Sequence, residues 1–254
     1  AFYTMRGDDQ QGKRIGDYTI PALQKLDEKN YGASFGGPII KDRLFFFVNY
    51  EKKFTKAPGS TRLAATPSLP YGSVSTVTRT TADFMNMASA YLKNTYGYET
   101  GPYQNYENVS ENEKMFARLD WNINKNHRFS VRYNQVESQS PSPASTSVSN
   151  SGVNGVLQYG NVRSGNAATA GLPFFNSNYY QAANLYSATA ELNSSFGSKF
   201  SNTLRFAYSH QNDPRTSDSS PFPLVDILDG TQSSTNAGNV LTTFGYEPFT
   251  YGNL

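Results

Sequence analysis

Three stretches of the chain show apolar and polar residues in alternation, and each is interrupted once by a short polar turn. They cover about residues 33–53, 114–136 and 184–211. Because successive side chains of a β-strand point to opposite faces, a period of two predicts three amphipathic hairpins with one apolar face each. The apolar residues expected on the outward, lipid-facing side are Leu44, Phe46, Val48, Tyr50, Trp121, Phe129, Tyr133, Phe206 and Tyr208.

The first two turns fix the register of their hairpins. The apolar faces of two paired strands coincide only if an odd number of residues separates the strands, and residues 41–43 and 124–126 each supply three. This register would let large side chains cover backbone that glycine leaves bare. The predicted cross-strand pairs are Gly36 with Val48, Gly37 with Phe47, Trp121 with Phe129 and Leu119 with Val131.

Long polar segments join the hairpins to one another. They cover about residues 1–31, 54–113, 137–180 and 212–239, and residues 240–246 are predicted to begin a seventh strand. The strands of a soluble sandwich also alternate apolar and polar residues. Here, however, the connections at one end of the strands are tight turns and those at the other end are very long loops. Strands of about 9–11 residues with such unequal connections are typical of outer-membrane barrels. We therefore predict an all-β fold, an antiparallel up-and-down transmembrane barrel segment of about six or seven strands.

The second and third hairpins carry charged residues on the face opposite the apolar one. In a barrel this face lines the lumen, where the charges could contact a plug or a solute, or could form an alternating ladder in a wet interior. The sequence favours the ladder, and Asp120 lies diagonal to Arg118 and Arg132, whose repulsion it would relieve. The predicted lumen-facing residues are Arg118, Asp120, Arg128, Arg132, Glu191 and Arg205.

One long loop contains a helical pattern. Apolar side chains recur at helical spacing over residues 81–96, with Thr80 or Thr81 as the expected N-cap. Five tyrosines crowd this region, and they are interpreted with equal weight as a ligand-contacting surface or as a loop that packs on itself around its helix. The apolar stripe of the predicted helix is Phe84, Met87, Ala88, Tyr91 and Leu92, and the tyrosines are Tyr91, Tyr96, Tyr98, Tyr103 and Tyr106.

Composition supports β structure near an interface and excludes several classes of partner. Aromatic residues make up 14% of the chain although hydrophobic residues make up only 37%, so rings replace the aliphatic side chains of an ordinary core. Lysine and arginine number 22 against 20 acidic residues, and no basic run is present, so no nucleic-acid partner is expected. No apolar run reaches about 18 residues, so no transmembrane helix is expected.

Two runs resemble barrel segments of TonB-dependent outer-membrane receptors. They are FGGPIIKDRLFFFVNYE, residues 35–51, and RLDWNINKNHRFSVRYN, residues 118–134. The first run resembles the Oar-like branch in particular, whose members carry a carboxypeptidase-regulatory-like domain at the N-terminus. The second, an Arg-x-Asp followed by a short Asn-rich turn, is common to many TonB-dependent barrels.

The resemblance implies a plugged barrel of about 22 strands in the outer membrane of a Gram-negative bacterium, with its long loops at the cell surface. It also implies energy-coupled uptake of a large or scarce ligand, driven by the TonB complex through a TonB box. The implied partners are outer-membrane lipid, the TonB complex and an unknown ligand. Residues 1–254 would then belong to one barrel domain, and the plug and the TonB box would lie outside this chain.

Other chemistry finds little support in the sequence. The chain has two histidines and no cysteine, and it lacks a G-x-S-x-G elbow, a P-loop and an H-E-x-x-H motif, so no catalytic residue and no cofactor are expected. Its paired aspartates lack calcium-loop spacing, so no metal site is expected. The alternative to a receptor is an extracellular structural or adhesive β-rich protein that assembles through its strand edges.

Overall fold

A computed structural model describes residues 1–10, 12, 14–19, 26–143, 171–230 and 240–245. Within these residues no helix is both long enough and apolar enough to cross a membrane. One α-helix, α1 (Ala82–Tyr96), and two short 3-10 turns, Asp8–Gln10 and Phe175–Ser177, accompany the strands. The strands are β1 (Phe2–Arg6), β2 (Arg14–Ile15), β3 (Tyr18–Thr19), β4 (Asp27–Ile40), β5 (Leu44–Pro58), β6 (Leu63–Ala65), β7 (Val77–Thr81), β8 (Glu107–Asn124), β9 (His127–Ser142), β10 (Tyr179–Ala182), β11 (Asn184–Phe196), β12 (Phe200–Asn212), β13 (Arg215–Thr216), β14 (Val225–Leu228) and β15 (Val240–Phe244).

Seven strands of a nine-stranded sheet lie side by side in the order β1, β4, β5, β8, β9, β11, β12. They form most of a compact unit, Ala1–Ala57, Val109–Ser140 and Gln181–Pro214, which we call the barrel unit. The six long strands have between 13 and 18 residues, more than the roughly 9–11 that a tilted strand needs to cross the hydrocarbon. Their extra length is polar and lies at the ends away from the tight turns, in segments predicted as loop, because ladder hydrogen bonds continue regardless of side-chain polarity.

The predicted faces of the second and third hairpins are confirmed. Trp121 pairs with Phe129 and Leu119 with Val131, as the alternation predicts. The apolar row then continues from Val131 to Ala190 on β11 and from there to Phe206 on β12. Apolar residues therefore stand opposite apolar residues across four consecutive strands.

The register predicted for the glycines of the first hairpin is wrong by one residue. Gly36 pairs with Phe47 rather than Val48, and Gly37 with Phe46 rather than Phe47. The cause is a register shift between Pro38 and Ile40, which inserts one extra residue beside a proline that has no N–H to donate. Phe47 nevertheless covers the bare backbone, since a Cβ on Gly36 would lie 3.0 Å from its ring.

The turn of the second hairpin is also tighter than predicted. Asn124 pairs with His127, which leaves Lys125 and Asn126 as a two-residue turn, and a register shift follows between Asn122 and Asn124. The Asn124 side chain explains the tight turn, because its Oδ1 accepts from the N–H groups of Asn126 at 2.8 Å and His127 at 3.0 Å. The bulge restores the parity that a three-residue turn would have given.

Both ends of the chain differ from prediction. Residues 1–31 are not all loop, because β1 pairs with β4 from Phe2 opposite Gly32 to Arg6 opposite Glu28. The strand that lies beside the three hairpins is therefore β1, whereas residues 240–245 of the predicted strand do not join this sheet, and Tyr246 lies outside the described residues. Within that predicted strand, β15 pairs instead with β14 in a separate two-stranded sheet, with most of its residues buried.

The long loops fold into a second compact unit of Pro58–Asn108, Pro141–Tyr180 and Arg215–Leu254, which we call the loop unit. It contains α1, the parallel pair β6 and β7, the pair β14 and β15, and a core of its own in which Met85, Leu172 and Phe174 are fully buried. The helix is confirmed where it was predicted. Thr81 Oγ1 accepts from the Phe84 N–H at 3.2 Å as N-cap.

Candidate functional site

Charged residues of the barrel unit pair on the polar face of the sheet. Arg118 donates to Asp120 from Nε at 2.8 Å and from Nη2 at 2.7 Å, in a bidentate geometry. Glu191 lies directly opposite Arg205 and accepts from its Nε at 2.8 Å. Four of the six predicted lumen-facing residues therefore neutralise one another in pairs.

The remaining two predicted lumen-facing residues share this face. Arg132 lies directly opposite Arg118, and Arg128 opposite Asn122. Asp120 lies diagonal to Arg132 in the register and binds Arg118, one of the two opposed arginines. The six residues are four arginines and two carboxylates, so the ladder of charge is balanced only in part and keeps a positive excess at Arg128 and Arg132.

Contacts between β5 and β8 place the first hairpin on the same faces as the other two. Lys52 points to the same face as Tyr50, because an even number of positions separates them on β5, and its Nζ lies 3.3 Å from Glu111 Oε2. For the same reason Glu111 shares a face of β8 with Trp121. On the opposite face the Phe47 and Phe116 ring centroids lie 6.1 Å apart. All nine residues predicted to face lipid thus lie on one side of the sheet: Leu44, Phe46, Val48, Tyr50, Trp121, Phe129, Tyr133, Phe206 and Tyr208.

The loop unit contains an open groove of about 750 Å³ beside α1, which we call the α1 groove. Its lining residues come from the helix on one hand and, on the other, from β14, the two residues Phe222 and Pro223 shortly before it, and the end of β15. The helix wall is Phe84, Met87, Ala88, Tyr91, Leu92 and Tyr96. The opposite wall is Phe222, Pro223, Val225, Ile227 and Phe244.

The helical stripe predicted from the sequence faces this groove, with one correction. Met87 and Tyr91 are exposed, at 63% and 58%, whereas Met85, which lies outside the predicted stripe, is fully buried. The helix buries Met85, Ala88 and Leu92 in the core of the loop unit. Since an α-helix presents neighbouring stripes at i, i+3 and i+4, the stripe read from the sequence is displaced slightly from the buried one.

The five predicted tyrosines divide between the two interpretations. Tyr91 and Tyr96 remain exposed beside the groove, with ring centroids 6.1 Å apart. Tyr98 is 2% exposed and stacks on Phe222 at 4.3 Å. Burial raises the pKa of the Tyr98 phenol, although hydrogen bonds with Ser219 and Gly245 oppose the shift.

Tyr103 and Tyr106 also pack within the loop unit. The Tyr103 hydroxyl donates to Asn86 Oδ1 at 3.0 Å, and the Tyr106 ring meets Phe175 edge-on at 5.0 Å. Burial raises the pKa of both phenols. Only Tyr91 and Tyr96 among the five are thus available to a ligand in the groove.

Sequence patterns missed the second wall of the groove. Phe222 lies 5.7 Å from Tyr96 between ring centroids although the two are far apart in the chain. The segment from Phe222 to Ile227 has only six residues, so it is too short to show a period that marks it as a wall. The local signal was its cluster of apolar residues within a polar loop.

Tyr180 provides a pH-dependent contact in the loop unit. Its hydroxyl donates to Asp218 Oδ2 at 2.8 Å, and burial together with this carboxylate raises the pKa of Tyr180 to about 12. Because the folded pKa exceeds the ordinary value of 10.0, the stabilisation is complete below pH 10.0 and is lost as pH rises through about 12. Tyr180→Phe should therefore reduce the free energy of unfolding by about 1 kcal/mol at neutral pH, and the loss should shrink and then reverse at higher pH, because the native phenolate would lie beside the Asp218 carboxylate.

Ultraviolet difference titration of the native protein against Tyr180→Phe measures this directly. The difference spectrum should contain one phenol that ionises near pH 12. If the phenol that the substitution removes ionises instead near the ordinary value of 10.0, the Asp218 contact is not made in solution.

Among the described residues, no group of three or more His, Cys, Asp or Glu side chains is placed to hold a metal ion. A family model described as outer membrane beta barrel domain matches residues 1–253. Searches of curated proteins and of solved structures give no match to the chain. The family match spans the segments of both the barrel unit and the loop unit.

Proposed function

The chain belongs to the outer membrane beta barrel domain family, and we propose that it is the barrel segment of a TonB-dependent receptor of the Oar-like branch. In this proposal the receptor takes up a large or scarce ligand by energy coupling in a Gram-negative bacterium. The apolar face of the sheet contacts outer-membrane lipid, and the paired charges line the lumen. The tight turns lie in the periplasm and the long connections between the hairpins lie outside the cell.

The observation that carries this proposal is the contrast between the two sets of connections. Turns of two or three residues join one end of the strands, whereas the segments that join the other end fold into a unit with its own core and groove. A pore needs no such structure, but a receptor needs a surface that holds a ligand. The resemblance of residues 35–51 and 118–134 to TonB-dependent barrels supports the same function.

The open edges of the sheet favour a second candidate. Within the described residues, β1 pairs only with β4 and β12 only with β11. An unpaired edge is a template for a strand from another chain, so assembly into an extracellular structural or adhesive array would also use these edges. In lipid the same edges require further strands that close a barrel.

Capture by TonB separates these functions. We expect the native protein to remain in purified outer membranes after carbonate washing, and to be retained, once solubilised, by the immobilised periplasmic domain of TonB from the same organism. An unrelated porin from the same membranes serves as the control. Release by carbonate would support the adhesive array, and a membrane-embedded protein that TonB does not retain would show that the receptor proposal is wrong.

A further inference from the structure

The chemistry of the α1 groove restricts what it can bind. Its walls consist of aromatic and aliphatic residues together with Pro223, and no lining residue is charged. An ion placed there would meet no opposite charge, and a sugar would find hydrogen-bond partners only at the hydroxyls of Tyr91 and Tyr96, so neither would recover the hydration it loses along most of the groove. The groove therefore selects an apolar group.

The dimensions of the groove favour an extended chain. Phe84 and Tyr96 both line it, and a helix rises about 18 Å over the turns between them. Phe222 closes the Tyr96 end, with ring centroids 5.7 Å apart. A volume of about 750 Å³ spread along this length suits a linear chain better than a compact ring system.

The residues change character along the groove. Met87 lines the groove together with the aliphatic residues Val225 and Ile227, and methionine adapts its shape to flexible apolar partners. Tyr91 and Tyr96 lie towards the C-terminal end of α1 and provide phenol hydroxyls beside exposed rings. A groove that has apolar side chains at Met87 and hydroxyl groups at the tyrosines suits an amphiphile, with its tail along Met87 and its polar head at the tyrosines.

The groove is not required for the helix to fold. Met85, Ala88 and Leu92 already anchor α1 in the core of the loop unit. The exposure of Met87 at 63% is therefore surplus apolar surface on a helix that has a buried face. Surplus apolar surface of this kind marks a binding site.

We propose that the α1 groove binds one linear aliphatic chain, so that the ligand of the receptor carries an acyl-type tail. The proposal rests on the proposed receptor function and names the chemical class of its ligand. Each further methylene that enters the groove should tighten binding by up to about fourfold. Affinity should stop rising once the chain exceeds the length of the groove.

Photolabelling of the native protein in its own outer membrane tests this proposal. The probe is a palmitate analogue that carries a diazirine on its tail, and labelled peptides are identified by mass spectrometry. Label should concentrate on peptides of α1 and of Val225–Leu228. Unlabelled palmitate should compete better than laurate, and laurate better than octanoate.

A matched pair of variants isolates the groove from the surrounding lipid. Met87→Glu places a carboxylate in the groove and should reduce labelling of these peptides about tenfold. Ala90→Glu adds the same charge to an exposed position of the same helix outside the groove and should leave labelling unchanged. TonB capture should be the same for both variants and the native chain.

The outcomes distinguish the two proposals. Label that is spread over the lipid-facing strands, that does not depend on chain length, or that Met87→Glu leaves unchanged would overturn the aliphatic site while TonB capture remains intact. Cross-linked dimers of the chain joined at α1 would also overturn it, by showing a second copy in the groove. Failure of TonB to retain the native protein would overturn the receptor function instead, whatever the labelling shows.

Discussion

Val131→Arg is expected to destabilise the folded barrel in the membrane by about 2–4 kcal/mol, the cost of a cation near the middle of the lipid-facing surface. Val131 pairs with Leu119 on β8 and with Ala190 on β11, so apolar residues flank it on both sides. An arginine there would have to extend past neighbouring rows to reach the interface. Unfolding by urea in lipid vesicles, followed by the heat-modifiable shift on gels, measures the change.

Ser130→Arg is the matched control on the same strand. Ser130 points to the opposite face, where its partners are Asp120 on β8 and Glu191 on β11. Both carboxylates already bind an arginine, Arg118 and Arg205, so a new arginine gains little from them, but the polar face keeps it hydrated and we expect a change within about 0.5 kcal/mol. Equal losses for the two variants would show that the assignment of lipid and lumen to the two faces is wrong.

The faces of the sheet were predictable because alternation is a local property. The positions of Trp121, Phe129, Glu191 and Arg205 follow from parity alone, and the structure pairs them accordingly. The bulges were not predictable, because an inserted residue leaves the polar pattern of a turn unchanged. Gly36 consequently meets Phe47 instead of the residue that simple counting assigns to it.

The loop unit was predictable only as far as its helix. Thr81 as N-cap and the apolar spacing after it are local signals. The groove depends on Phe222 reaching Tyr96 and on the pairing of β14 with β15, which are contacts between distant segments that no periodicity records. Strand β1 was missed because five residues are too few to show a pattern against the glycine-rich sequence that follows.

The division of the tyrosines follows from these distant contacts. Tyr98 is buried because Phe222 and Ser219 come from another part of the chain to cover it. Tyr91 lies on α1 itself, where its ring contacts that of Tyr96, and it stays exposed. Sequence alone therefore could not decide between a packed loop and a ligand surface, and the structure contains both.

Gly245→Ala is expected to disrupt the wall of the α1 groove without changing any residue that lines it. Gly245 follows β15 with φ +89°, a conformation that alanine adopts only at a cost. A Cβ there would clash with the Pro223 carbonyl oxygen and lie 2.6 Å from its carbonyl carbon, both of which are backbone atoms. We expect the loop unit to lose about 3–5 kcal/mol of stability.

Gly72→Ala separates this clash from backbone strain. Gly72 also lies in the loop unit and has φ +84°, but a Cβ there would meet nothing within 4 Å, so its cost should be limited to about 1–2 kcal/mol. Hydrogen exchange should show faster opening of α1 and Val225–Leu228 in Gly245→Ala than in Gly72→Ala, with the barrel strands unchanged in both. Equal exchange rates in the two variants would mean that Pro223 moves freely to make room for a side chain at Gly245. The groove wall would then not be rigid enough to select a linear chain.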